Sequence, residues 1–171
     1  RHPDGWFFKV RPALEDRSGI VWMGLDGTGL TALRDGKFER VDTPNLAGIG
    51  KRFVFSLLED RSGTLWAATR RGLMQGREGR FRLWTTGDGL SDEFVFGLAE
   101  GPDGAIWAGT ERGGVNRFKD GRFRTYTTRD GLLNNRAWPL RAEPDGSVWV
   151  GPPVGLNRIR GDQVRSVTMR Q

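Results

Sequence analysis

The 171-residue chain contains no cysteine, which excludes disulfides, zinc–thiolate centres and thiol nucleophiles together. Its single histidine is His2, so the commonest general base is all but missing. No apolar run approaches the roughly 18 residues that a membrane helix needs. No secretory leader is recognisable, and because the chain opens on Arg1 its natural N-terminus is expected upstream. Tyrosine is scarce too, one residue against seven Trp and ten Phe. What is abundant is Gly, 26 residues, with 8 Pro, the composition of a chain of many turns. The formal charge of +6 comes largely from arginine, since only Lys9, Lys37, Lys51 and Lys119 are lysines. These arginines are interspersed with Asp and Glu along the whole chain, which reads as a mixed solvated surface and not as a nucleic-acid patch.

Four tryptophans set a period. Trp22, Trp66, Trp107 and Trp149 are separated by 44, 41 and 42 residues, and each stands three positions after a turn glycine (Gly19, Gly63, Gly104, Gly146). Six to eight positions after each Trp comes Gly29-Leu30, Gly72-Leu73, Gly114-Val115 or Gly155-Leu156. Eight positions beyond the apolar residue of each pair lies Phe38, Phe81, Phe123 or Val164. Asp-Gly-Leu closes two of the units, at 88–90 and 130–132, and an insertion around 47–52 removes it from another.

Each unit reads as four short strands. The first is expected at 8–14, 53–58, 94–99 and 136–142, and the second carries the Trp. The fourth alternates polar and aromatic residues, as in Phe81-Arg82-Leu83-Trp84-Thr85. Asp-Gly or Glu-Gly at 35–36, 78–79 and 120–121 supplies the positive φ of tight hairpins. Pro12 and Pro139 fall inside first strands, which is tolerable only on a strand with a free edge. Hairpin-joined strands repeating every 40–45 residues are a propeller signature. The expected fold is therefore all-β: a propeller fragment of four four-stranded antiparallel blades of about 42 residues each, at 4–45, 46–87, 88–129 and 130–171. The four Trp with Phe38, Phe81 and Phe123 are its expected core, wedged between blades.

The run Asp-Gly-Leu, Val-x-x-Leu, Glu-Asp-x-x-Gly-x-Leu-Trp-x-Gly-Thr, x-Gly-Leu, Asp-Gly-Arg-Phe, x-Tyr-Thr resembles the two-component regulator propeller repeat. Residues 88–129 carry it almost throughout, including Trp107-Ala108-Gly109-Thr110 and Asn116-Arg117-Phe118. The resemblance implies a non-catalytic sensor segment from the periplasmic or extracellular part of a bacterial two-component sensor. It also implies larger rings, commonly seven-bladed. The missing blades are then expected from a longer parent chain or from a second copy in a homodimer. A carbohydrate or acidic small ligand is the implied partner. Nucleic acid, membrane embedding, cofactors and metals are not implied. A structural scaffold assembling through exposed blade edges is the alternative.

Other motifs have plainer readings. The Asp-Arg-Ser-Gly turns differ in spacing from a sialidase Asp-box and read as hairpin turns. Residues 24–29 lack the spacing and the helix of a dinucleotide fingerprint. The oxygens of Asp88, Ser91, Asp92 and Glu93 could cluster around calcium, but read as a connecting loop. Gly101-Pro102-Asp103-Gly104 before Trp107 faintly resembles virginiamycin B lyase, an enzyme expected to need histidine and a metal. Propeller geometry places binding on loops near the channel. These are the links from second to third strand and from fourth strand to the next first strand. That nominates Asp26, Arg70, Arg71, Glu111, Arg112, Asn135 and Arg136, with arginine forks suited to carboxylates.

Overall fold

The computed structural model describes residues 10–25, 29–41, 53–77, 79–138 and 140–168. Four four-stranded antiparallel meanders follow one another along the chain. The first comprises β1 (Val10–Glu15), β2 (Val21–Leu25), β3 (Gly29–Arg34) and β4 (Lys37–Arg40). The second holds β5 (Val54–Glu59), β6 (Leu65–Thr69), β7 (Gly72–Arg77) and β8 (Arg80–Trp84). The third holds β9 (Val95–Glu100), β10 (Ile106–Thr110), β11 (Val115–Lys119) and β12 (Arg122–Tyr126). The fourth holds β13 (Leu140–Ala142), β14 (Ser147–Val150), β15 (Leu156–Arg160) and β16 (Gln163–Val167). This is a propeller segment. The first strands β1, β5, β9 and β13 adjoin one another in succession, so they form the inner edge of the arc.

Local chemistry explains the turns. Asp35 (φ 49°) and Gly36 (φ 74°) both take the left-handed region, as do Asp120 and Gly121, giving the doubly positive turn whose twist matches its strands. The Asp-Gly-Leu signature is a cap. The Oδ2 of Asp88 accepts from the backbone N and hydroxyl of Thr85 at 2.9 and 3.1 Å. Gly89 then turns left-handed at φ 98°, which sinks Leu90 to 3% exposure between the second and third sheets. Asp130, Gly131 and Leu132 repeat this arrangement one blade later.

The core lies between the sheets. Trp22, Leu30 and Ala32 of the first blade meet Val54, Leu65, Ala67 and Met74 of the second. Trp66, Leu73 and Trp84 meet Val95, Ile106 and Phe118, and Trp107, Val115 and Tyr126 meet Val148, Val150 and Ile159. Each blade thus turns its Trp face towards the next blade. Its fourth-strand aromatic faces the one before, as Phe81 does in packing edge-on against Trp22 at 5.8 Å.

That rule corrects one core assignment. Phe38 is 68% exposed, because the fourth strand of the first blade has no earlier Trp face among the described residues to cover it. Phe81 and Phe123 are half-buried and pack against the clusters. Trp22, Trp66 and Trp107 are buried, at 9%, 3% and 5% exposure, whereas Trp149 on the outward face of the fourth blade is only half-buried.

The first strands also differ from expectation. Pro12 does sit on an edge strand, and the ladder slips between Val10 and Ala13. In the fourth blade the strand begins at Leu140 and not at Arg136. Ala137 N instead donates to Thr110 O of the third blade at 3.1 Å, so that stretch is drawn onto its neighbour and cannot join its own sheet. Asp26 and the insertion at 47–52 lie outside the described residues.

Candidate functional site

In an up-and-down meander the two ends of a blade differ. One end carries the first-to-second and third-to-fourth strand turns. The other carries the second-to-third turns and the links between blades, and every nominated residue that is described lies there. A repeated pairing organises this link end. After Trp66 and Trp107, the residue four positions on meets the residue thirteen positions before the next Trp. Arg70 lies over the Phe94 ring at 5.1 Å, and Glu111 is ion-paired with Arg136. The Glu111 side chain is 18% exposed, and its second oxygen is buried without a hydrogen-bond partner.

The other nominees have different roles. Asn135 is structural: its Oδ1 accepts from Thr128 N at 2.8 Å and its carbonyl from Gly114 N at 2.9 Å. Arg71 and Arg112 are exposed, and their backbone amides donate to Thr69 Oγ1 and Asp92 Oδ2. Among the described residues their guanidinium groups have no carboxylate partner. The oxygens whose spacing could suit calcium are occupied by protein donors. Asp92 accepts from Phe94 N and Arg112 N, Ser91 bonds Asn116, and Asp88 caps Thr85. Among the described residues no group of three acidic or histidine side chains could hold a metal.

Sequence reasoning missed an aromatic tier. Phe55, Phe96 and Trp138 occupy the same repeat position, eleven residues before Trp66, Trp107 and Trp149. Along the inner strands Phe55 and Phe96 approach to 4.5 Å, and Phe96 stacks with Trp138 at 5.1 Å and 28°. Phe53 stacks on Phe55, and Phe94 packs edge-on to Phe96. Trp138 is 40% exposed, and the four Phe are half-buried. The signal was available in the coincidence of three aromatics at one phase of the repeat. It was obscured by the stronger and more regular spacing of the interblade Trp.

The opposite end is a hydrogen-bonded girdle. Asp60 Oδ2 accepts from Trp66 Nε1 at 2.8 Å, while its Oδ1 takes the amides of Ser62 and Thr64 and the Ser62 hydroxyl. Asp16 holds Trp22 in the same way, at 2.7 Å. Burial opposes the charge on both, but these donors outweigh it and hold each carboxyl below its ordinary value. Arg17 then reaches into the second blade, donating to Arg61 O and Asp60 O, and Arg61 reaches the third at Pro102 O. In the later blades the acid moves to Asp103 and Asp145, which bind Arg117 and Arg158. The Ser147 hydroxyl and amide, with Arg158, lower Asp145 to about 2.

Comparison with known proteins meets this geometry. The family model described as two component regulator propeller matches residues 48–71 and 89–112, two segments in register on the second and third blades. These two segments match the two-component regulator propeller repeat. Solved structures with the same fold include the extracellular domain of hybrid two component system BT3049 from B. thetaiotaomicron, at TM-score 0.78 and 20% identity, covering 94% of this chain and 23% of that one. The extracellular domain of BT4673 from the same organism gives 0.75 and 18%, over 95% and 24%. A catalytically inactive histidine-to-alanine variant of virginiamycin B lyase from Staphylococcus aureus gives 0.73 and 19%, over 95% and 56%. The chain thus spans about a quarter of the first two neighbours. No curated protein sequence matches it.

Proposed function

We propose that this chain is part of the extracellular sensing propeller of a two-component-type receptor, recognising a ligand or partner domain without catalysing a reaction. The observation that carries the reading is the pair of in-register regulator-propeller matches on two blades whose inner strands bring Phe55 and Phe96 together, with Arg70 over Phe94 at the link end. The lyase has the same fold, but its inactive variant lacks one histidine. The only histidine of this chain, His2, lies outside the described residues. Among the described residues no helix is long and apolar enough to cross a membrane. The test is a thermal-shift screen of oligosaccharides and organic acids. A stabilising ligand whose effect disappears in Trp138→Ala supports the reading; catalytic turnover of a bound compound overturns it.

The outer faces support a second element, that further blades cover them. Leu156 and Val167 are 40% and 59% exposed, whereas their equivalents Leu73 and Trp84, and Val115 and Tyr126, are at most 7% exposed between blades. The covering surface belongs to a longer parent chain or to a second copy. Light scattering on the 19.1 kDa chain separates the two, because a dimer that dissociates in Leu156→Lys requires a second copy. A compact monomer at high concentration removes the second copy and leaves the longer chain.

A further inference from the structure

Among the described residues five large apolar side chains stand exposed, and all belong to the terminal blades: Phe38 to the first, and Trp138, Val154, Leu156 and Val167 to the fourth. The second and third blades, covered on both sides, expose none among the described residues. The two ends are the separated halves of one kind of contact. Trp149, Leu156 and Val167 hold in the fourth blade the places of Trp66, Leu73 and Trp84 in the second. Val21, Leu33 and Phe38 hold in the first blade the places of Ile106, Phe118 and Phe123 in the third. Within the chain those two sets meet. Phe118 lies 5.4 Å from Trp66 and 4.7 Å from Trp84, and Phe123 packs edge-on to Trp84 at 5.8 Å.

Charge sets the polarity. The outer corner of the fourth blade's open face is a recess of about 130 Å³ lined by Arg158, Arg160, Gln163 and Arg165. Arg165 holds the place of Arg124, which crosses to Asp162 in the third-to-fourth strand turn of the next blade. The same turn of the first blade is Asp35-Gly36, and its Asp is exposed. Among the described residues neither Arg165 nor Asp35 has an ion-pair partner. Two fourth-blade faces set against each other would bring these arginines onto their own copies, where like charges repel. The front of a first blade brings an acid instead.

Resting on the propeller reading above and not on ligand sensing, we infer that the open face of the fourth blade docks the first blade of a second copy, head to tail. Phe38 and Leu33 of one copy cover Trp149, Leu156 and Val167 of the other, and Asp35 enters the arginine recess. Such a contact is heterologous, so it is satisfied twice when two four-bladed copies close into one ring.

The experiment is sedimentation velocity on the 171-residue chain across the micromolar to millimolar range. The expected result is a monomer–dimer equilibrium. Phe38→Lys or Leu156→Lys weakens it about a hundredfold, because each sets a charge in the apolar contact. Both side chains are exposed in the single chain, so unchanged melting curves at dilutions where the copies are apart verify folding. A mixture of the two variants gives the polarity. Each has lost one half of the contact and kept the other, so the mixture regains one intact junction and dimerises more tightly than either variant alone. A monomer at every concentration overturns the second copy and leaves both faces to blades of a longer parent chain, with the sensor reading untouched. A dimer that ignores Phe38→Lys, or a mixture no tighter than its components, overturns the head-to-tail contact.

Discussion

Replacing Asp60 by Asn tests the girdle at its tightest point. Asp60 is 8% exposed and receives Trp66 Nε1 on one oxygen and three donors from the turn on the other. An amide has one acceptor and one donor end. Whichever way the new side chain points, either the indole N–H or the turn donors face an NH2 group. The loss is therefore a hydrogen bond to a charged group plus a buried donor left unsatisfied, about 2–3 kcal/mol. The same change at Asp103, whose side chain is 41% exposed and pairs with Arg117 and Lys119, removes only solvated contacts and costs about 0–1 kcal/mol. Urea unfolding followed by tryptophan fluorescence measures both. The pH dependence adds a sign. The folded-state pKa of Asp60 is lowered from 3.8, so its stabilisation is present above 3.8 and is lost as pH falls through the folded value. The deficit of Asp60→Asn relative to the parent should accordingly be full at pH 7 and shrink below pH 3.8. An equal deficit at both pH values, or a neutral Asp60→Asn, would refute the coupling of carboxylate to indole.

Three further sets of substitutions probe the blade stack. Trp107→Ala removes a ring that is 5% exposed between blades and should cost about 3–5 kcal/mol in denaturant unfolding, enough to abolish folding of a marginal chain. Trp149→Ala, on the open face, should cost less than half as much. Phe38→Ser should lie within about 0.5 kcal/mol of the parent because the ring is 68% exposed, whereas Phe81→Ser should lower the melting temperature clearly. Gly109→Ala would drive a Cβ into the Ala137 carbonyl oxygen, so it should disrupt the junction of the third and fourth blades. Gly19→Ala, with φ 83° but open space, should cost only about 1 kcal/mol; circular dichroism melts compare the two.

Much of the architecture was legible because a repeat reports each position four times. Trp at one phase and Gly three positions before it gave strand and turn, and Asp-Gly pairs gave the hairpins. What a repeat conceals is the difference between its copies. Phe38 shares its phase with Phe81 and Phe123, yet its burial depends on a neighbour that periodicity does not supply. Asn116 and Asn157 are fully buried, where they receive the backbone N–H of Ser91 and Leu133 and tie each third strand to the preceding link. Nothing about an Asn after Gly-Val or Gly-Leu announces that role. Among the nominated loop residues, Glu111 and Arg136 do meet, through a side-chain pairing between blades. Asn135 was nominated for its place near the channel and proves to be a backbone anchor. The aromatic tier was written in the sequence, but choosing the inward face required the slip in the first-strand ladder between Val54 and Ser56.

The two girdle chemistries divide the arc. In the first two blades an Asp six residues before the Trp holds the indole, and the next residue, Arg17 or Arg61, clasps the turn of the following blade. In the third and fourth blades that arginine position is Pro102 or Pro144, which has no side-chain donor. The clasp from blade to blade therefore stops after the third. There the fourth blade is held instead by its outer hairpin: Arg124 Nη1 reaches Asp162 at 2.8 Å and Tyr126 OH donates to Gly161 O at 3.0 Å. At the inner edge Ala137 N bonds Thr110 O across the same junction. The exposed Arg124–Asp162 pair contributes little on its own, so this junction leans on Tyr126, the Ala137 backbone and the apolar contact of Trp107 with Val148 and Ile159. The Glu111–Arg136 pair and the Phe96–Trp138 stack both span that junction, so the link end holds the fourth blade where the girdle does not.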